Sequence, residues 1–390
     1  MRIAVAGLGK RATKVLNYFT RAMPDAGIVA YVDPHPQMLD RLENARDPRA
    51  FDTVDEMLAA VRPDLLFVGS PNHLHLEHIT SGLRAGVRVF AEKPLVTSLE
   101  QTWALAELLR EHGTDRLMVG LVLRYAPQMK DLRAALEAGR LGRIVSMEAN
   151  EHIEPQHGGF FMRDWRRSTR WSGGFMLEKC CHDLDLYNMI TGSRPARVAS
   201  FGGRATFVAE NAPAEAEEAA LYRTTPSLWE TSADPFRSDA DIVDHQNAIL
   251  SFETGVTMSF HTNINAPHES RHFCIVGTKG MAEGDLQRGY LRVTDAATSR
   301  PVFEHDYTAD PDAMIDHYGS DRQMAQEIAE HLHGTRPRLP VSPVDAMEAG
   351  IAAMAIDEAR RSGTVVELGP IWERLDSYRL RAPERALHAL

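Results

Sequence analysis

The chain opens with a short apolar run, Ile3–Ala6, that stops at Gly7-Leu8-Gly9-Lys10-Arg11-Ala12 and continues into a helical stretch near residues 10–23. No other feature limits the fold as tightly. A strand that turns into a helix across two closely spaced glycines commits the chain to return beside that strand in parallel. Gly7 permits the tight turn, and Gly9 lets backbone N–H groups approach a pyrophosphate at the positive helix end. Ala12 is small enough for close helix packing. The next apolar run ends at Tyr31-Val32-Asp33-Pro34, about 20 residues past the glycines, where an acidic side chain accepts hydrogen bonds from the adenosine ribose. The charge on Asp33 would repel a 2′-phosphate, so the pattern favours NAD over NADP. Asp33 capping a turn is the plainer alternative.

The alternation continues. Apolar runs at 27–32, 65–69, 87–91 and 117–120 are separated by helical stretches near 36–45, 53–61, 73–85 and 98–112. Such alternation predicts a parallel sheet covered on both faces. From about residue 123 the character changes. Runs at 144–154, 197–208, 246–263, 272–276 and 281–294 read as longer strands, with turn signals at Glu253-Thr254-Gly255 and Thr278-Lys279-Gly280. Helices are expected near 127–138, 174–191, 321–333 and 343–361. At 390 residues the chain exceeds one ordinary core. The expectation is an α/β protein. A Rossmann dinucleotide-binding domain spans 1–122, and an α+β domain over 123–390 carries an open, largely antiparallel sheet. The acidic stretch 209–220 and the irregular run through Asp244 make a connection long enough to be a lid, binding loop or subunit contact.

A net charge of −11 argues against nucleic acid as a partner. No run reaches the roughly 18 apolar residues of a membrane helix, and Met1–Gly7 lacks the features of a signal peptide. A cytoplasmic protein without a membrane partner is expected. Cys180, Cys181 and Cys274 make no disulfide framework and lack zinc-site spacing, so no metal is expected. Arg163, Arg166, Arg167 and Arg170 crowd into one short segment with Trp165. They read either as scattered ion pairs on a solvated loop or as an anion-binding rim, since Arg presents a planar fork to oxyanions.

Two further motifs fall at strand ends, where ligands sit in open α/β sheets. Ser70-Pro71-Asn72-His73-Leu74-His75 offers side chains for ribose or nicotinamide, although Asn72 also suits a helix cap. Glu92-Lys93-Pro94 points a lysine off the sheet edge, where desolvation makes it a candidate acid or base. Gly173-Gly174 precedes Glu178, His182 and Asp185, spaced four and three apart as on one helix face. A base is needed for the hydroxyl proton when a secondary alcohol gives its hydride to nicotinamide, and His182 suits that task, with Glu178 and Asp185 positioning it. A polar surface patch is the bland reading. Cys180 and Cys181 are expected to be packing residues.

In this order, the glycine turn, Asp33, Ser70-Pro71-Asn72 with His75, Glu92-Lys93-Pro94, Arg124-Tyr125 and Gly173-Gly174 with His182-Asp183-Leu184-Asp185 resemble the Gfo/Idh/MocA family of NAD(P)-dependent oxidoreductases. The likeness is greatest for the inositol dehydrogenase branch and runs from residue 1 to about 368. It implies a sugar, polyol or related substrate and a homo-oligomer (dimer, tetramer or hexamer) built across the sheet. It assigns Lys93 and His182 to the reacting hydroxyl. It implies NAD contacts by Gly7, Gly9, Lys10, Arg11, Ala12, Asp33, Ser70, Asn72, His75, Glu92 and Lys93. Substrate contacts are expected from Arg124, Tyr125, Arg163, Trp165 and Arg166, and from His317 and Tyr318 in Asp316–Asp321. The chain departs from the pattern at Glu178, where the family usually has Asp, and at Cys180, where it has a small residue. The leading expectation is hydride transfer between NAD and a secondary hydroxyl of a sugar, glycoside or cyclic polyol. The alternative is an NAD-retaining glycoside hydrolase or lyase working by transient oxidation and elimination on an anionic, sulfonated or uronic, sugar. A non-catalytic sugar sensor is a third reading, against which Lys93 and His182 count.

Overall fold

A computed structural model describes residues 1–229, 232, 234–309 and 315–381. It divides into two compact units. The first comprises Met1–Tyr125, Ser320–Ile351 and a stretch from Trp372; the second comprises Ala126–Gly319 and Ala352–Ile371.

The first unit is built on six strands, β1 (Arg2–Ala6), β2 (Gly27–Val32), β3 (Ala45–Ala50), β4 (Leu65–Val68), β5 (Arg88–Ala91) and β6 (Leu117–Val119). Their order is β3-β2-β1-β4-β5-β6, and every pair is parallel. Helices α1 (Lys10–Ala22), α2 (Val54–Val61), α3 (His75–Arg84) and α4 (Leu99–His112) connect them. The order reverses between β1 and β4, which opens a crevice above their C-terminal ends. The apolar runs of both strands are wholly buried: Ile3–Ala6 and Leu65–Val68 are 0% exposed. That explains runs without polar alternation. Phe19 of α1, Phe67 of β4 and Phe90 of β5 pack with ring centroids 4.9–5.9 Å apart. Thr53 and Ser98 cap α2 and α4 by accepting from the amides of Glu56 and Gln101.

One expected helix is absent. Residues 36–45 form only a short turn of 3₁₀ helix, Leu39–Arg41, followed by β3. This strand is exposed along nearly its whole length, so its sequence, Ala-Arg-Asp-Pro-Arg-Ala, shows no apolar period to read. Pro48 and the charges suit an unpaired sheet edge.

The described residues of the second unit carry nine strands: β7 (Ile144–His152), β8 (Pro195–Gly203), β9 (His245–Phe252), β10 (Thr257–Asn263), β11 (His272–Gly277), β12 (Gly280–Asp285), β13 (Tyr290–Asp295), β14 (Pro301–Asp306) and β15 (Val366–Glu367). Their order is β14-β13-β12-β11-β7-β10-β9-β8-β15. All pairs are antiparallel except β7 with β10. The expected long runs at 246–263 and 281–294 are each hairpins. On β10, Met258, Phe260 and Thr262 are buried while Thr257 and Ser259 are exposed. One face of the sheet therefore packs and the other meets solvent. Helices α5 (Pro127–Glu137), α6 (Pro155–Arg163), α7 (Thr169–Ser172), α8 (Phe175–Glu178) and α9 (Cys181–Thr191) belong to this unit. Tyr187 of α9 packs on Phe260, ring centroids 6.4 Å apart.

The long connection between β8 and β9 is tied down from within. The Asp244 carboxylate accepts from the amides of Ala205, Thr206 and Phe207. Phe207, Tyr222 and Phe236 form a ring cluster. Helix α6 reaches this region through two glycines: a Cβ on Gly158 would lie 1.9 Å from the Ile264 carbonyl oxygen, and one on Gly159 2.3 Å from that of Tyr222. Gly158→Ala should therefore cost about 1–3 kcal/mol through overpacking. Chemical denaturation checks this, and a variant as stable as the parent would show that α6 has room to shift.

Candidate active site

The glycine turn is shaped by one close approach. Gly7 has φ +91°, and a Cβ there would stand 2.4 Å from the Ser70 nitrogen in the loop after β4. Gly9, by contrast, faces open space, with nothing within 4 Å of where its Cβ would be. It is the N-cap of α1, and no side chain caps that helix start. The positive helix end is thus open toward an anionic ligand. Asp33 is fixed beside it: one carboxylate oxygen accepts from the Leu8 amide at 2.6 Å, the other from the His35 amide at 2.7 Å. Two amides leave lone pairs for further donors. These residues fit a dinucleotide.

Arg11 goes elsewhere than its place in the fingerprint implies. Its Nε donates to Glu92 at 3.0 Å and its Nη1 to Asp321 at 2.6 Å. Burial lowers the guanidinium pKa, but Glu92 and Asp321 more than offset that and raise it overall. Burial pushes the Glu92 carboxyl up, against the pull of Arg11. Arg11 is therefore a brace between the glycine turn, the Glu92-Lys93-Pro94 loop and the start of the helix Ser320–Leu332.

Lys93 is half-buried at that loop, and Asn72 is 3% exposed. His75 turns both ring nitrogens onto backbone carbonyls, Ser70 at 2.8 Å and Pro94 at 2.7 Å. The Ser70 hydroxyl lies 3.0 Å from Nδ1 of His78. Arg124 donates to the Pro340 carbonyl at 2.9 Å and stands 3.5 Å from Asp345, while Tyr125 is wholly buried. Both are packed within the first unit.

In the second unit the expected helix 174–191 is broken. Gly173 and Gly174 have φ of +83° and +97°, α8 ends at Glu178, and α9 begins at Cys181. Glu178 thus closes α8, whereas His182 and Asp185 lie on α9. Its carboxylate accepts from Arg166 Nε at 2.8 Å. Arg166 also donates to Asp164 at 2.8 Å and lies over the Trp165 ring, 4.3 Å from its centroid.

The arginine segment proves to be a set of anchors. Buried Arg163 donates to the Thr225 carbonyl, Arg167 to Asp239, and Thr169 to Asp241. Asp164 accepts from Ser227. Each partner beyond residue 220 lies in the β8–β9 connection, so the basic run fastens that connection to α6 and α7. Arg170 alone of the four arginines is exposed.

His182 is 6% exposed and its ring lies 6.4 Å from that of His317. Asp185 is buried. His317 and Tyr318 both adopt left-handed backbone, φ 53° and 62°, a conformation that costs non-glycine residues free energy. The Tyr318 hydroxyl donates to Gln287. Burial pushes the Cys180 thiol well up, which suits packing rather than nucleophilic attack.

Sequence reasoning missed a buried charge cluster beside this helix. Arg271 pairs with Glu151 and stands 3.0 Å from Asp183, and Lys179 reaches Glu151 at 3.1 Å. Glu151, Arg271 and Asp183 are each at most 3% exposed. Burial pushes the Asp183 carboxyl up to about 7, against the pull of Arg271. The signal was available in β7, where strict alternation puts Glu151 on the buried face with Met147 and Ala149. Among the described residues there is no group of three or more His, Cys, Asp or Glu able to hold a metal ion, and no helix long and apolar enough to cross a membrane.

Comparison with known proteins agrees with this arrangement. Residues 1–121 match the GFO_IDH_MocA oxidoreductase family with its NAD-binding Rossmann fold, and residues 129–283 match the GFO/IDH/MocA C-terminal domain. The chain is 23% identical to inositol 2-dehydrogenase of Corynebacterium glutamicum over 199 residues, 51% of this chain and only 56% of that protein. It is 22% identical to scyllo-inositol 2-dehydrogenase (NAD(+)) of Bacillus subtilis over 94% of this chain and 96% of that one. Its fold is similar to that of levoglucosan dehydrogenase solved with NADH and levoglucosan, with a TM-score of 0.72, 16% identity, and coverage of 95% and 99% of the two chains.

The buried Asp183 has a consequence for stability. Its raised pKa means that the folded state binds its proton more tightly than the unfolded state, so its contribution to stability is present below about pH 4 and is lost as pH rises through about 7. Asp183→Asn, which cannot ionise, should therefore become more stable relative to the parent between pH 5 and 8. Melting temperatures of both proteins across that range test this; a constant difference would mean that burial does not raise the pKa of Asp183 into that range.

Proposed function

The chain belongs to the Gfo/Idh/MocA family of oxidoreductases, and from that membership we propose an NAD-dependent dehydrogenase that moves a hydride between nicotinamide and a secondary hydroxyl of a cyclic polyol, sugar or glycoside. The observation that carries the cofactor choice is the Asp33 carboxylate, held 2.6 Å from the Leu8 amide beside an uncapped helix start. A carboxylate so fixed accepts from ribose hydroxyls and repels a 2′-phosphate. Relatives named for inositol, scyllo-inositol and levoglucosan support a ring-shaped substrate rich in hydroxyls. In this reading residues 1–122 serve the nucleotide and residues 123–390 the substrate and oligomerisation.

Bound NAD supplies the hydride acceptor. What the chain supplies is a place for the hydroxyl proton, and we assign that task to Lys93 and His182. Glu178, already bound to Arg166, and buried Asp185 orient the substrate or the imidazole. A homo-oligomer across the second sheet is supported by Phe201 and Ile249, which are 74% and 65% exposed on adjacent strands.

A panel of inositols, hexoses and glycosides, assayed with NAD and NADP by nicotinamide absorbance, should give reduction with NAD. Glycoside cleavage without net reduction would overturn the dehydrogenase reading. Lys93→Met should lower kcat by about 100-fold or more while leaving NAD binding nearly intact; undiminished turnover would remove its role. Asp33→Ala should raise the KM for NAD by about tenfold and narrow the preference over NADP, as expected for losing a charge-assisted contact. Ile249→Asp should shift the sedimentation of the protein toward monomer, and an unshifted oligomer would place the interface elsewhere.

A further inference from the structure

His75 opens α3 and is 1% exposed. It lies between the loop after β4, which carries Ser70 and Asn72, and the loop after β5, which carries Lys93 and Pro94. Its Nδ1 is 2.7 Å from the Pro94 carbonyl oxygen and its Nε2 is 2.8 Å from that of Ser70. A carbonyl oxygen only accepts. A neutral imidazole has one N–H and one lone pair, so either neutral tautomer presses a lone pair against a carbonyl oxygen at bonding distance. Turning the ring over brings carbon to those positions and loses both contacts. Only a ring with a proton on each nitrogen satisfies both carbonyls, through charge-assisted bonds stronger than neutral ones.

We propose that His75 is a doubly protonated positioning residue that clamps the Lys93 loop to the Asn72 loop. Pro94 follows Lys93 directly, so the clamp fixes the main chain from which the lysine projects, without touching substrate. His78, on the same helix, is driven down to about 4, chiefly by burial and then by His75 and His73, and so stays neutral. Its Nδ1 holds the Ser70 hydroxyl while His75 holds the Ser70 carbonyl. In the opposing loop Glu92, next to Lys93, is itself paired with Arg11. The functional part of this proposal rests on the assignment of Lys93 to the hydroxyl proton; the protonation of His75 does not.

Neutron diffraction from deuterium-exchanged crystals near neutral pD reads the ring directly. Deuterium on both Nδ1 and Nε2 is expected, and a single deuteron overturns the proposal whatever the enzyme does. For the functional part, His75→Leu removes both donors and should lower kcat about 10- to 100-fold, since small displacements of catalytic groups cost that much. The dissociation constant for NAD should change less than about threefold, within the scatter of context effects. His75→Gln, whose amide carries two hydrogens, should recover part of the loss, and it stands in for the leucine variant if that one does not fold. Unchanged kcat overturns the positioning role, and so does a loss explained wholly by weaker NAD binding. If the parent enzyme oxidises nothing on the panel, the dehydrogenase reading fails while the diffraction result on His75 still stands.

Discussion

The first unit depends on the contact between two backbones at Gly7 and Ser70. A side chain at Gly7 would drive a carbon into the Ser70 nitrogen, so β1 and β4 can run parallel and end together only if this position is bare. Their carboxyl ends then form the rim on which the unit's functional candidates collect. Asp33 arrives from β2, Asn72 from the loop after β4 and Lys93 from the loop after β5. Arg11, in the first turn of α1, ties the Glu92 loop to the helix Ser320–Leu332 by holding two carboxylates at once. An ion pair this enclosed is not strong evidence of stability, because desolvation offsets much of the attraction. Its value is geometric: it fixes the start of α1, the Glu92 loop and the start of the helix Ser320–Leu332 against one another.

The second unit solves a different problem with similar means. Its sheet buries one face under helices and leaves the other open, so charge reaching the inner face must be matched there. Glu151 is met by Arg271 and Lys179, and Arg271 also by Asp183. The cluster lies under the break between α8 and α9, next in sequence to His182. Two consecutive left-handed residues, His317 and Tyr318, stand on the same side as His182. Strain and buried charge are thus concentrated around one imidazole.

Much of this was legible from sequence, and the reasons differ by element. β1 and β4 declared themselves because burial on both faces demands unbroken apolar runs, and the glycine turn because few residues tolerate its backbone. β3 was invisible because an exposed edge strand needs no apolar period. The 174–191 helix looked continuous because Lys179 and Cys180 have no helix-breaking character; in the fold it breaks there, and Lys179 pairs with Glu151 of β7. The arginine run was readable as charge but not as purpose, since Arg163 and Arg167 find partners some sixty or more residues onward, at Thr225 and Asp239. The pairing of His75 with two carbonyls carries no sequence signature at all, for backbone acceptors are the same at every position.

The β8–β9 connection leaves and rejoins the sheet at one point: Asp244 donates its amide to the Gly203 carbonyl, and the strands continue from there in antiparallel register. Its ends are thus neighbours before any of its interior is built. The entropy of closing such a loop grows only with the logarithm of its length, about 0.6 kcal/mol per doubling. The sheet is therefore nearly indifferent to how much chain is spliced in there. The same doorway can host a short turn or a larger ornament, so this part of the molecule can diverge while strand pairing, core and nucleotide rim stay as they are.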